Sequence, residues 1–119
     1  MSGSFLVEGR TVSSGVWVGR ACVVTDPDGE IAVRSGEILV VPHSHPSYAI
    51  ALMRAAGLIC EQGAAVSHLC TVALEAGIPC ITQAAGAVTK IGQGQMIVLD
   101  ADKGVVSAYG SEYPAQGIS

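Results

Sequence analysis

Glu61-Gln62-Gly63-Ala64-Ala65-Val66-Ser67-His68-Leu69-Cys70-Thr71-Val72-Ala73 is the stretch on which the reading of this chain turns. It begins where the apolar run Gly57-Leu58-Ile59-Cys60 stops at a glutamate and a glycine. It continues into apolar residues at Val66, Leu69, Cys70, Val72, Ala73 and Leu74, a spacing that suits a helix with much of its circumference buried. A strand that passes through a glycine loop into a helix is a common way of presenting backbone N–H groups to an anion. Ser67 has the chemistry of an N-cap, because its hydroxyl can accept from an N–H two or three residues on. His68 then falls in the first helical turn, at the positive end of the macrodipole. The neutral imidazole is the nucleophilic form of histidine. The plainer alternative is a packed or surface histidine with its nitrogens satisfied, and spacing alone does not choose between them.

Working outward, Gly77 and Pro79 end the helix, since glycine accepts a left-handed cap and proline cannot continue the hydrogen-bond ladder. Helices are expected near 46–56 and 67–76, the first after a Pro42–Pro46 loop with Ser44 as its N-cap and Gly57 as its stop. Short strands are expected at Val16–Val24, Ile38–Val41, Leu58–Cys60, Cys80–Thr82, Met96–Asp100 and Val105–Tyr109. Ile38–Val41 is continuously apolar, the mark of a strand buried on both faces. Asp26-Pro27-Asp28-Gly29 is a strong turn signal, so Glu30–Arg34 reads as the returning arm of a hairpin. Ala84–Lys90 reads as a helical turn. Strands alternating with two or three helices make an α/β layered domain.

Composition bounds the function classes. The 119 residues suit one domain with one core. Half are hydrophobic but only 4% aromatic, so Val, Ile, Leu and Ala must build that core. No apolar run reaches the roughly 18 residues of a bilayer span, and no basic region followed by a long apolar one marks a signal peptide; a cytoplasmic protein without a membrane partner is expected. A formal charge of −4 with six scattered basic residues argues against nucleic-acid binding. The four cysteines, Cys22, Cys60, Cys70 and Cys80, form no CxxC pair and read as reduced, buried, small hydrophobes. Zinc-ligand spacing is absent, and the His43-x-His45 pair has no third ligand by spacing, so no metal site is assigned and the pair reads as loop structure.

The ordered motifs resemble a known family. Glu61-x-Gly63-x-x-x-Ser67-His68, followed by Ala73-x-Glu75-x-Gly77-Ile78-Pro79, is similar to the phosphohistidine (swivelling) domain of phosphoenolpyruvate-utilising enzymes. That group includes pyruvate phosphate dikinase, phosphoenolpyruvate synthase and the first enzyme of the sugar phosphotransferase system. Gly15-Val16-Trp17-Val18-Gly19-Arg20-Ala21 resembles the family's opening G-x-x-x-G-x-A. Gly36-Glu37-Ile38-Leu39-Val40-Val41-Pro42-His43-Ser44-His45-Pro46 resembles its G-D-I-L-V-x-P-x-T-x-P, and Ile91–Asp100 its I-x-D-G-x-x-V-x-V-D. The resemblance covers 9–109, which leaves 1–8 as an N-terminal extension and 110–119 as a tail.

The resemblance implies a single swivelling β/β/α sandwich in which His68 accepts a phosphoryl group and passes it on. Gly63, Ser67 and Glu61 are the expected support, Gly63 by letting backbone approach and Glu61 by fixing the loop or orienting the imidazole. It also implies partners: nucleotide-binding and phosphoenolpyruvate- or pyruvate-binding domains or subunits that hold ATP and magnesium, with no cofactor in this domain. Such a carrier is one component of a phosphotransferase. The residues depart from the family pattern at Ala64 (glycine), Leu74 (arginine), Gln93 (aspartate) and Ala101 (glycine). Loss of the arginine removes a candidate phosphate-binding cation. It favours the other reading, a non-catalytic swivelling domain acting in docking, regulation or homo-oligomerisation.

Overall fold

The computed structural model describes residues 5–29, 31–64 and 67–110. Eight strands and three helices follow in chain order: β1 (Phe5–Glu8), β2 (Arg10–Ser13), β3 (Val16–Val23), β4 (Ile38–Val41), α1 (Pro46–Leu52), β5 (Gly57–Cys60), α2 (His68–Ala76), β6 (Cys80–Thr82), α3 (Ala87–Lys90), β7 (Met96–Asp100) and β8 (Val105–Ala108). Their order across the sheet is β1-β8-β7-β3-β4-β5-β6-β2. The run from β3 to β6 is parallel, and all other pairings are antiparallel. Consecutive strands β1 and β2 therefore lie at opposite ends of the order, joined through Gly9 alone, so the sheet folds back on itself.

Side-chain alternation turns this ribbon into layers. Leu39, Val41, Leu58, Cys60 and Cys80 enter one core with Tyr48 and Leu52 of α1 and Leu69, Cys70 and Ala73 of α2. Their neighbours Ile38, Val40, Ile59 and Ile81 enter a second core with Val7 of β1, Ile97 and Leu99 of β7 and Val106 of β8. The parallel strands are thus covered by helices on one face and by antiparallel strands on the other. This explains why β4, β5 and β6 are buried at every position, with Thr82 the single polar residue among them. The architecture is the expected α/β fold, a β/β/α layered sandwich forming one compact domain.

Four local expectations change. Residues 5–8, read as an extension, form edge strand β1, and the unanticipated β2 closes the other end; 1–4 and 111–119 lie outside the described residues. The hairpin arm at 30–34 is absent among the described residues, where 31–34 pair with no strand. Its place beside β3 is occupied on one side by β4 and on the other by the 93–95 turn, through Ala21 N–H to Gln95 C=O (2.8 Å) and Val23 N–H to the Gln93 amide oxygen (2.6 Å). Helix α1 ends at Leu52, short of 56. Its cap is His45 instead of Ser44: His45 Nδ1 accepts from Ser47 N–H at 3.1 Å.

Candidate functional site

The parallel strands β4, β5 and β6 all end on one side of the molecule, and the site is built from the loops that leave them. Beyond β5 the backbone stays tied to β4: Glu61 N–H donates to Val41 C=O (2.9 Å) and Gln62 N–H to Pro42 C=O (3.0 Å). The chain then turns through Gly63, whose φ of +134° is open to glycine and costly for a side chain. The space around Gly63 is not crowded; an added Cβ would meet nothing closer than 3.9 Å. The glycine is required by conformation, and its carbonyl is held by the Thr82 hydroxyl at 3.0 Å. Buried Thr82 is thereby satisfied, as a buried hydroxyl must be.

Ser67 caps α2. Its backbone is extended (φ −63°, ψ 157°) and its hydroxyl accepts from Cys70 N–H at 3.4 Å. His68 is the first residue of the helix and is exposed. Its imidazole makes no hydrogen bond or ring contact with the described residues. At the other end Gly77 takes the left-handed cap (φ 73°). The expected helix, its cap and its stop stand within one residue of where the spacing places them.

Glu61 does not serve the imidazole directly. Its carboxylate accepts from Gly86 N–H at 2.9 Å, tying the loop after β5 to the turn that opens α3. Of its two expected roles, this is the loop-fixing one. Ser44 takes a part that spacing did not suggest. Its hydroxyl accepts from Leu69 N–H at 3.3 Å, so two of the first helical N–H groups of α2 end on serine hydroxyls. Each hydroxyl still has its own hydrogen to give. The N-terminus of α2 therefore presents Ser44 and Ser67 hydroxyls beside His68, polarised by the helix behind them, in place of a row of bare N–H groups. The signal for Ser44 was its place in the P-x-T-x-P pattern; reading it as a cap for α1 hid it.

The other two histidines flank this end through the β4 loop. The Ser44 carbonyl can only accept, so His43 Nδ1 at 3.1 Å must carry a proton, whereas His45 Nδ1 must be bare to cap α1. Both rings lean on buried Tyr48, with centroids at 6.1 and 5.8 Å. Among the described residues no group of three or more His, Cys, Asp or Glu is placed to hold a metal ion.

Beneath α2 three buried thiols converge. Burial pushes the Cys60 thiol up to about 11. The neighbouring Cys80 thiol lowers Cys70 to about 6, opposed by burial and helped by Ser67, and the Cys70 neighbour and burial raise Cys80. The Cys60 thiol also donates to Gln62 C=O at 2.9 Å, inside the loop that leaves β5. All four cysteines are free and buried.

Leu74, at the family's arginine position, is 54% exposed on α2 and contributes no charge. Among the described residues no helix is long and apolar enough to cross a membrane.

Comparison with known proteins agrees with this geometry. Residues 33–104 match the family described as PEP-utilising enzyme, mobile domain. Pyruvate kinase 2 of Synechocystis is 35% identical over 103 residues, covering 87% of this chain and 17% of that protein. Phosphoenolpyruvate synthase of Pyrococcus furiosus is 32% identical over 101 residues, 85% of this chain and 12% of the enzyme. The chain thus spans less than a fifth of either relative. Among solved structures, aconitase X of Thermococcus kodakaraensis shares the fold with a TM-score of 0.69 at 20% identity, over 87% of this chain and 98% of that one. Enzyme I, solved by NMR, aligns with a TM-score of 0.59 at 16% identity, over 71% of this chain and 35% of that one. The match to the family spans more than half of the sequence and includes the whole of the loop after β5 and α2: the chain belongs to the mobile-domain family of PEP-utilising enzymes.

Proposed function

We propose that this domain is a phosphocarrier and that His68 is its acceptor. The observation that carries the reading is an exposed imidazole, unpartnered among the described residues, at the first position of a Ser67-capped helix. Phosphoryl transfer depends mostly on positioning and on stabilising charge on the transferred group. A bare ring nitrogen of His68 attacks the donor phosphorus. The N–P bond forms as the donor's P–O bond breaks, and the electron pair leaves with the donor oxygen, as enolate when the donor is phosphoenolpyruvate or as nucleoside phosphate when it is ATP. The Ser44 and Ser67 hydroxyls and the helix N-terminus meet the phosphoryl oxygens. The same nitrogen leaves when the acceptor's oxygen attacks.

Donor and acceptor belong to partners: a nucleotide-binding domain and a domain for phosphoenolpyruvate or pyruvate, which supply ATP and magnesium. The domain needs no cofactor of its own and works in the cytoplasm. Exposure of His68 suits this, since two different partners must reach it in turn. One observation favours the second reading, a non-catalytic domain for docking, regulation or homo-oligomerisation: Leu74 stands where the family carries a cation.

The test is intact-mass measurement after incubation with phosphoenolpyruvate and a phosphoenolpyruvate-binding partner domain, or with ATP and a nucleotide-binding one. A single added phosphoryl group, lost in acid, stable in alkali and missing from His68→Ala, is expected. The His68→Ala fold should be unchanged, because exposed replacements usually alter stability by about 0.5 kcal/mol or less. Labelling that persists in His68→Ala, or an acid-stable adduct, would transfer the assignment to Ser67 or Thr71 and sink the carrier reading. No labelling from either donor would leave the docking role as the better account.

A further inference from the structure

A second polar site lies on the far side of the loop that braces the carrier loop. A cavity of about 660 Å³ is bounded by β1, the start of β2 and the β6–α3 connection, with Phe5, Glu8, Arg10, Gln83, Ala85 and Lys90 among its walls. Arg10 and Lys90 bring two cations to it, and neither side chain has an ion pair or hydrogen bond among the described residues. Two like charges left unpaired at one cavity are unfavourable to each other and favourable to an anion. Lys90 is exposed at the end of α3. It folds back over Gly86, where an added Cβ would lie 3.1 Å from its Cε and 3.6 Å from its Nζ. Arg10 sits at the mouth of β2, paired in register with Thr82. Phe5, 58% exposed, offers an apolar wall.

The connection between cavity and carrier loop is unusually determined. Gln83 is the single non-glycine residue with a left-handed backbone (φ 57°) among the described residues. On one side of it the Thr82 hydroxyl holds Gly63 C=O; on the other Ala84 N–H donates to Cys60 C=O at 3.1 Å and Gly86 N–H to the Glu61 carboxylate. Sparsely populated backbone persists only where surrounding contacts over-determine it, and such residues cluster at binding sites.

We propose that this cavity binds a small organic phosphate, its dianion between Arg10 and Lys90 and its organic part against Phe5, with Glu8 available to accept from a ligand hydroxyl or amine. Through residues 82–86, occupancy is felt at Glu61 and Gly63. The site is separate from His68, and the inference stands whether or not His68 carries a phosphoryl group.

The experiment is an amide NMR titration of the full unphosphorylated chain with AMP, and in parallel with inorganic phosphate. AMP is expected to give saturable shifts at Gly9, Gln83, Ala85 and Gly86, with smaller ones at Glu61 and Gly63. Inorganic phosphate is expected to move the same amides with weaker affinity. Arg10→Ala and Lys90→Ala should each weaken AMP binding roughly tenfold, the usual cost of losing a charged hydrogen-bond partner. Both residues are exposed, and an unchanged melting temperature verifies that the variants fold. Absence of saturable shifts with either probe overturns the proposal. So do shifts centred on Ser67–Cys70 and indifferent to both replacements, which place the anion at the α2 terminus. Equal affinity for AMP and inorganic phosphate refutes recognition of the organic part, and shifts that stop short of Glu61 and Gly63 refute the coupling.

Discussion

At the scale of single residues, the site is a matter of which polar atoms are already committed. Ser44 and Ser67 accept from Leu69 and Cys70 N–H, and both keep a hydrogen to donate. Ser67→Ala removes the α2 cap and should cost about 1 kcal/mol of stability. Ser44→Ala leaves one helix N–H without its partner and should cost about the same. If both hydroxyls bind the phosphoryl oxygens, each replacement also slows labelling of His68, by roughly ten- to a hundredfold. His43→Ala is the control that leaves labelling unchanged. His45→Ala separates the two effects, because it removes the α1 cap and should lower stability without slowing labelling. Equal labelling rates in wild type and Ser44→Ala would show that Ser44 merely finishes a helix. Much of this neighbourhood could be read directly from the chain. Ser67, His68, Gly77 and Pro79 lie close together in sequence, and capping chemistry is local. The bonds that immobilise the loop were not legible, because Thr82 and Gly86 reach Gly63 and Glu61 across 19 and 25 positions. Nothing in a linear spacing marks a hydroxyl or an amide as the anchor of a distant loop.

At the scale of elements, the packing under α2 decides how pH acts on stability. β5, β6 and α2 each place one thiol in the space between helix and sheet, as Cys60, Cys80 and Cys70. Burial raises Cys60 from an ordinary 9.0 to about 11, and Cys80 is raised by the neighbouring Cys70 and by burial. A raised folded-state value means that the unfolded chain loses its proton first. Between pH 9 and 11 the unfolded state therefore binds fewer protons than the folded one, and stability falls as pH rises through this window. Cys70, lowered to about 6, has the opposite sign: its contribution is complete above pH 9 and is lost as pH falls toward 6. It cannot offset the alkaline loss. Urea unfolding at pH 8.5 and 10.5 should show the decline in the wild type. A smaller decline is expected for Cys60→Ala, whose lower starting stability reflects the cavity left behind. An identical decline in both would assign the effect to other groups. The elements themselves were legible where a continuous run ends at a turn. β6 and β7 have the expected bounds, since a continuous Cys-Ile-Thr or Met-Ile-Val-Leu run followed by a turn leaves little choice of register. The hairpin arm at 30–34 failed because turn chemistry says that the chain reverses, not which strand has a free edge to receive it.

At the scale of the molecule, the fold depends on a closure that local pattern could not disclose. Phe5-Leu6-Val7-Glu8 and Arg10-Thr11-Val12-Ser13 are short and mixed in polarity, and each owes its strand to a partner far along the chain: Val7 to Val106, Arg10 to Thr82. Gly9 joins them at a point with no spare volume. Its N–H donates to Gly104 C=O at 2.8 Å, and an added Cβ would lie 2.5 Å from Thr82 C=O. Gly104 is equally confined, with φ +73° and an added Cβ 2.5 Å from Gly9 C=O. Gly9→Ala should therefore cost about 1–3 kcal/mol, the range for forcing atoms into filled space. Deleting residues 1–8 is a larger insult. It removes Val7, which is 2% exposed, from the second core, unpairs the edge of β8 and strips one wall from the proposed phosphate cavity. Burial of one valine is worth about 1.5–3 kcal/mol by itself, and an uncovered edge strand invites association with other chains. The truncated chain is expected to unfold at distinctly lower urea, to sediment as aggregates and to lose AMP binding. A midpoint and slope in urea equal to those of the whole chain would mean that 1–8 is an extension after all, and that the closure through Gly9 contributes nothing to the fold.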